Sequence, residues 1–150
     1  MCFQLYAATT KPLPRRVWEL GSPSLPVESL QVDDAAIKAH FSNPEVQFVG
    51  STSGCGCDFP REFLQDGGWV YFGEDQIDPD EAANHQVCRE GLYKLLQSTG
   101  DSMVELYGVW DGDFAEPPTA QVDISVEEIL APEFRLKEKG FYRVRMKVDS

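Results

Sequence analysis

A single long helix is predicted in this chain, over residues 78–97. Asp78 is a suitable N-cap, Pro79 stands at the first helical position, and Glu81 is placed to reach back to the cap. Gly100 follows as a stop signal. The apolar stripe of the helix consists of Val87, Cys88, Leu92, Leu95 and Leu96. Because such a stripe must be buried against other elements, the remaining segments decide the fold class.

Strand-like segments occupy most of the remaining chain. They are residues 3–8, 27–32, 46–49, 69–72, 103–110 and 122–124, followed by a pair at 134–137 and 141–148. The last pair predicts a C-terminal β-hairpin that turns near Lys139 and Gly140. Short helices are expected at 35–41 and after Ser125, where Glu128 completes a capping box. We therefore predict a single α+β domain, residues 1–150, in which an antiparallel or mixed sheet packs against one long helix.

Composition limits the classes of partner. The chain has 150 residues, 42% of them hydrophobic, and a formal net charge of -12. This charge opposes binding to nucleic acid or to an anionic membrane, and it favours a basic protein or a cation as partner. The sequence contains no apolar run long enough to span a bilayer, and its N-terminus lacks the pattern of a secretory signal. The prediction is a cytoplasmic protein that binds neither nucleic acid nor membrane.

The chemically richest segment is Gly54-Cys55-Gly56-Cys57, which follows the predicted strand at 46–49. In an extended backbone, residues two apart point to the same side, so both thiols can face one ligand. Cys88 and His85 lie three residues apart on the long helix and can complete a four-ligand zinc site. We therefore name Cys55, Cys57, Cys88 and His85 as candidate zinc ligands. The spacing of the first pair is unusual, because zinc-binding cysteine pairs generally have two to four residues between them.

Other interpretations of the cysteine segment stay open. A Cys55–Cys57 disulfide would close a tight, labile ring, which is typical of a thiol-redox group. Asp58 opposes the lowered thiol pKa that a redox group requires. A purely structural interpretation is that the glycines permit a tight buried loop, which the small cysteines fill. Cys2, beside the first strand, is a spare ligand for the zinc interpretation.

Basic residues are concentrated at the C-terminus. Residues 133–150 hold six basic and three acidic residues, a net charge of +3, so residues 1–132 carry -15. In the last strand Arg143, Arg145 and Lys147 should point outward. The inward-facing residues should be Tyr142, Val144, Met146 and Val148. A charged edge strand that resists edge-to-edge association explains this pattern, and a dipolar molecule that docks a partner or a second copy is the alternative.

The sequence contains no recognisable catalytic motif. It has two histidines, His40 and His85, and lacks the Gly-x-Ser-x-Gly and His-Glu-x-x-His patterns. The nucleophile pairing that the sequence offers is Cys55 with His40 or His85 as its base. We favour a role without catalysis. The prediction is a small acidic binding or interaction protein that acts through the cysteine segment, with zinc binding or thiol-redox chemistry as the alternative.

Parts of the sequence carry a resemblance to known proteins. The segments are Met-Cys-Phe-Gln-Leu-Tyr at 1–6, Val-Gly-Ser-Thr-Ser-Gly-Cys-Gly-Cys at 49–57, and Val-Glu-Leu-Tyr-Gly-Val-Trp-Asp-Gly-Asp at 104–113. Together they resemble a family of small bacterial proteins that share a Gly-Cys-Gly-Cys motif, and the resemblance covers most of the chain. No activity is assigned to that family. The resemblance therefore implies a free-standing bacterial cytosolic protein and transfers no functional residue.

Overall fold

The computed structural model describes residues 3–21, 24–54, 56, 58–65, 68–70 and 79–146. Its strands are β1 (Phe3–Thr9), β2 (Val27–Ser29), β3 (Glu45–Val49), β4 (Arg61–Gln65), β5 (Gly68–Val70), β6 (Met103–Trp110), β7 (Ala120–Ser125), β8 (Leu136–Lys137) and β9 (Gly140–Arg145). The long helix α1 spans Pro79–Gln97, and short 3₁₀ helices span Ala35–His40 and Val126–Leu130. The predicted α+β class with one main helix is therefore confirmed.

Most strands belong to one mixed sheet. In the described residues its order is β2-β3-β1-β6-β9-β7, and the small second sheet has the order β5-β4-β8. Neighbours in the large sheet are antiparallel, except that β7 and β9 run parallel. The central strands β1 and β6 are joined in register from Phe3 opposite Trp110 to Ala8 opposite Glu105. The sheet thus positions the loops that connect its strands.

Both faces of the large sheet carry a cluster of buried hydrophobic residues. One face packs on α1 and the 126–130 helix, with Leu5 and Leu106 among its core residues. We call this the helix face. The opposite face, called the second face, carries Tyr6 and Tyr107 and is covered by the 35–40 helix and by Phe114. Because alternate residues of β1 and β6 serve two cores, these strands lack the polar alternation of a half-exposed strand.

Helix α1 follows its predicted pattern closely. Its buried residues are His85, Cys88, Arg89, Leu92, Leu95 and Leu96, which recur every three or four positions and form one face. Gly100, just beyond the end of the helix, has φ of +74°, the conformation that makes glycine a common residue at this position. The predicted N-cap Asp78 lies outside the described residues. None of the helices in the described ranges combines the length and the apolar composition that crossing a bilayer requires.

The C-terminal strands differ from the prediction in their partners. Both predicted strands are present, but in the described residues they belong to different sheets: β8 pairs in parallel with β4, whereas β9 lies inside the large sheet between β6 and β7. The interpretation of the last strand as a charged edge is therefore wrong. The predicted alternation is correct for Tyr142, Val144 and Met146, which are buried, and for Arg143 and Arg145, which are exposed. Val148 and Lys147 lie outside the described residues.

Candidate functional site

The cysteine loop, defined as residues 50–58, crosses the start of β1. Cys55 and Cys57 lie outside the described residues, as does Cys2, but the loop positions around the first two are described. The backbone N–H of Gly50 donates to Pro26 O at 2.9 Å, and that of Gly54 donates to Ser51 O at 3.0 Å. The N–H of Asp58 donates to the Ser51 hydroxyl oxygen at 3.2 Å. Main-chain and side-chain hydrogen bonds thus hold the loop at both ends.

Gly56 fixes the middle of the loop against β1. Its N–H donates to the carbonyl oxygen of Phe3 at 2.9 Å. A Cβ atom at this position would lie 2.3 Å from that oxygen, so any larger residue would have to displace the backbone. Cys55 and Cys57 are the two chain neighbours of Gly56, and Cys2 precedes Phe3. The contact therefore explains why the residue between the two cysteines is glycine.

Cys88 of α1 packs directly against the cysteine loop. Its side chain is fully buried, with 0% exposure, and its Sγ lies 3.7 Å from the hydroxyl oxygen of Thr52. The Thr52 hydroxyl donates to Asp58 Oδ2 at 2.7 Å, so its single proton is used and the Cys88 thiol is the donor of the pair. Burial raises the pKa of the Cys88 thiol above its ordinary value. At neutral pH this residue is therefore a protonated thiol.

His85 lies one turn before Cys88 on the same buried face. The residue is 5% exposed, and its Nδ1 atom is buried without a hydrogen-bond partner among the described residues. Burial lowers the pKa of His85, and the nearby Arg89 guanidinium lowers it further. The imidazole is therefore neutral at pH 7, which is the form that binds metal ions. A buried, unpaired nitrogen also costs stability unless a ligand satisfies it.

The protonation of His85 should make the stability of the metal-free protein depend on pH. Its folded pKa lies below the ordinary value of 6.5, so just below pH 6.5 the unfolded state binds more protons than the folded state. The contribution of neutral His85 is then complete above about pH 6.5 and is lost as the pH falls. We expect the difference in unfolding free energy between wild type and His85→Gln to shift in favour of the variant from about pH 7.5 to 5.5. Urea denaturation with a chelator present measures it, and a constant difference would contradict the buried neutral imidazole.

Trp18 covers the outer side of the cysteine loop. Its indole Nε1 donates to Thr52 O at 2.8 Å, and its ring packs over Gly54, where an added Cβ would lie 3.5 Å from the indole. The side chain remains 40% exposed. Residues 15–21 show no periodic pattern, so sequence reasoning missed this contact. A tryptophan in this place provides a fluorescence signal for changes in the loop.

Two of the four predicted zinc ligands, Cys88 and His85, lie on the buried face of α1, and Cys88 contacts Thr52 of the cysteine loop. The other two, Cys55 and Cys57, lie outside the described residues. His40 belongs to the second face, where its ring packs on Tyr107 and its Nε2 lies 2.9 Å from Phe114 O.

Within the described ranges no group of three or more Cys, His, Asp or Glu residues is placed to hold a metal ion. The zinc site and the Cys55–histidine pairing therefore stay predictions. No protein-family model, curated protein or solved structure matches this chain.

Proposed function

We propose that this protein binds a zinc ion between the cysteine loop and helix α1, with Cys55, Cys57, Cys88 and His85 as ligands. The observation that supports it is the contact between Cys88 Sγ and Thr52, which places the buried face of α1 against the loop that carries the other two cysteines. Three thiolates and one imidazole form a common ligand set for structural zinc. Four protein ligands leave no open coordination position, so the proposal is a binding role without catalysis.

His85 supplies the second line of support. Its neutral ring and its buried, unpartnered Nδ1 offer a lone pair without the cost of removing a proton or breaking a hydrogen bond. Its position three residues before Cys88 brings the two side chains to one side of the helix, at a separation of roughly 5–6 Å between their Cβ atoms. That separation suits two ligands of one ion, since Zn–S and Zn–N bonds are about 2.0–2.3 Å long.

Cys88 determines the pH dependence of the proposed site. A zinc ligand must be a thiolate, and burial raises the pKa of the Cys88 thiol, so binding releases a proton. Zinc affinity should therefore increase with pH in the range where the thiols titrate. This property also argues against Cys88 as a redox group, because reactive thiols are exposed and have a lowered pKa.

Zinc content tests the proposal. Wild-type protein purified without chelator should hold about one zinc ion per chain, whereas Cys57→Ser and His85→Gln should weaken binding by about 100-fold or more. His40→Gln is the matched control, because His40 lies on the second face, away from the cysteine loop. Atomic emission and competition with a chromophoric chelator give the stoichiometry and affinity.

The same measurements separate the thiol-redox alternative from zinc binding. Wild-type protein without zinc, together with a mass two hydrogens lower that dithiothreitol reverses, would replace the zinc proposal with a redox Cys55–Cys57 pair. Wild-type protein that holds no zinc and has fully reduced thiols would exclude both the zinc and the redox hypotheses. The cysteines would then have a structural role in the loop. Equal zinc content in His85→Gln and His40→Gln would remove His85 from the ligand set.

A further inference from the structure

A cavity of about 210 Å³ opens on the second face of the large sheet, away from the cysteine loop. Its inner wall is aromatic and consists of Tyr6, Phe48 and Phe114. The rings of Phe48 and Phe114 both meet Tyr6 edge to face, with centroids 5.8 and 6.1 Å away. These contacts fix the wall, because Tyr6 and Phe114 also belong to the buried second core.

Carboxylates surround this aromatic wall. Four acidic side chains line the cavity: Glu28, Asp33, Asp34 and Asp111. Asp34 is held in place, since Oδ2 accepts from the Tyr6 hydroxyl at 2.9 Å and Oδ1 accepts from Gln31 N–H at 2.6 Å. No lysine or arginine lines the cavity among the described residues. Among the described residues that line the cavity, no basic side chain therefore balances the negative charge of the carboxylates.

The carboxylates of the cavity also act on the Tyr6 hydroxyl. Burial raises the pKa of Tyr6, and the carboxylates of Asp34 and Asp111 raise it further. Gln4, the neighbour of Tyr6 on the same side of β1, also lines the cavity.

We propose that this cavity binds an organic cation, an alkylammonium or alkylguanidinium group. Such a ligand presents N–H donors to the carboxylates, while its alkyl part and cationic head pack on the aromatic wall. A hydrated metal ion would gain nothing from Tyr6, Phe48 and Phe114, because hard cations prefer a shell of oxygen ligands. The cavity is separate from the proposed zinc site, so a result that contradicts one proposal does not affect the other.

Titration with agmatine and putrescine tests this proposal, with 1,4-butanediol as the uncharged ligand of similar size. Isothermal titration and ¹⁵N NMR are run at physiological ionic strength, where charges more than about 8 Å apart are largely screened. We expect both cations to bind at one site, with amide shifts centred on β1, β3 and residues 111–114, and no binding of the diol. Shifts spread evenly over the acidic surface, or equal binding of the diol, would overturn the proposal.

Paired charge variants test the cavity itself. Glu28→Gln with Asp111→Asn removes two exposed cavity carboxylates and should weaken cation binding by about 10-fold or more. Glu127→Gln with Glu133→Gln removes the same charge outside the cavity and should change the affinity less than about twofold. Equal losses in the two double variants would show that net charge alone attracts the cation. Because these substitutions replace exposed groups, the variants should fold, and circular dichroism checks this.

A comparison of peptides with agmatine identifies the source of the cationic group. A hexapeptide with one central arginine is compared with the same peptide containing citrulline and with free agmatine. Binding of the arginine peptide about 10-fold tighter than agmatine would indicate a basic protein partner, and weaker binding would indicate a free small molecule. Binding of the citrulline peptide as tightly as the arginine peptide would contradict recognition of the cation.

Discussion

Replacing Gly56 with alanine should lower the unfolding free energy by about 2–4 kcal/mol, the cost of an overpacked contact plus a weakened hydrogen bond. The added Cβ would lie 2.3 Å from Phe3 O, and this oxygen belongs to the backbone of a central strand, which cannot rotate away. The Gly56 N–H bond to Phe3 O would be strained at the same time. Urea denaturation in the presence of chelator measures the loss without a contribution from bound metal.

Gly112→Ala is the matched control for Gly56→Ala. Gly112 has φ of +100° and no atom within 4 Å of an added Cβ, so alanine there costs only conformational strain of about 1–2 kcal/mol. If Gly56→Ala is no more destabilising than Gly112→Ala, the cysteine loop is not anchored on β1 as described. Trp18 fluorescence should also shift in Gly56→Ala, because the indole packs over the same loop.

Replacing Glu105 with alanine should destabilise the protein by about 3 kcal/mol, since it removes the charge-assisted hydrogen bonds that this buried carboxylate accepts. Glu105 is 4% exposed and is the third residue of β6. Its carboxylate accepts hydrogen bonds from Asn43 N–H at 2.7 Å and from Ser42 N–H at 3.1 Å, and the Ser42 hydroxyl donates to it at 2.8 Å. These bonds fasten the end of the 35–40 helix to the second face.

Asp123→Ala is the control for the Glu105 variant. Asp123 of β7 and Glu105 of β6 both lie opposite Arg143 of β9, one on each side. Unlike Glu105, Asp123 is exposed. Its removal should change the unfolding free energy by less than about 0.5 kcal/mol. A similar loss in both variants would mean that pairing with Arg143, and not the hydrogen bonds from Ser42 and Asn43, explains the role of Glu105.

The acidic surface acquires a different meaning once the chain is folded. In the sequence, Asp33, Asp34 and Asp111 stand in two unrelated loops, each with the composition of a solvated turn. The order β2-β3-β1-β6 in the sheet brings these loops to one cavity, where the carboxylates meet aromatic side chains. The preference for a cationic partner, predicted from net charge alone, thereby acquires a specific candidate location.

Local signals determined the elements whose ends are set by neighbouring residues. Helix α1 could be placed from Pro79 to Gln97 because its proline, its glycine stop and its three- to four-residue stripe all act within a few positions. The same holds for the 126–130 helix, where Glu128 Oε2 accepts from Ser125 N–H at 2.6 Å. The pairing of His85 with Cys88 on one helix face was likewise readable from spacing alone.

Which elements pack together depends on contacts between residues far apart in the chain. β4 was missed because its residues, Arg-Glu-Phe-Leu-Gln, show no strand pattern without the partner β8, which lies more than seventy residues later. Three further features depend on contacts between residues that are distant in the chain. They are the inner position of β9, the burial of Glu105 and the contact of Cys88 with Thr52. Pairing of this kind depends on the registry and packing of the complete sheet, which a stretch of ten residues does not encode.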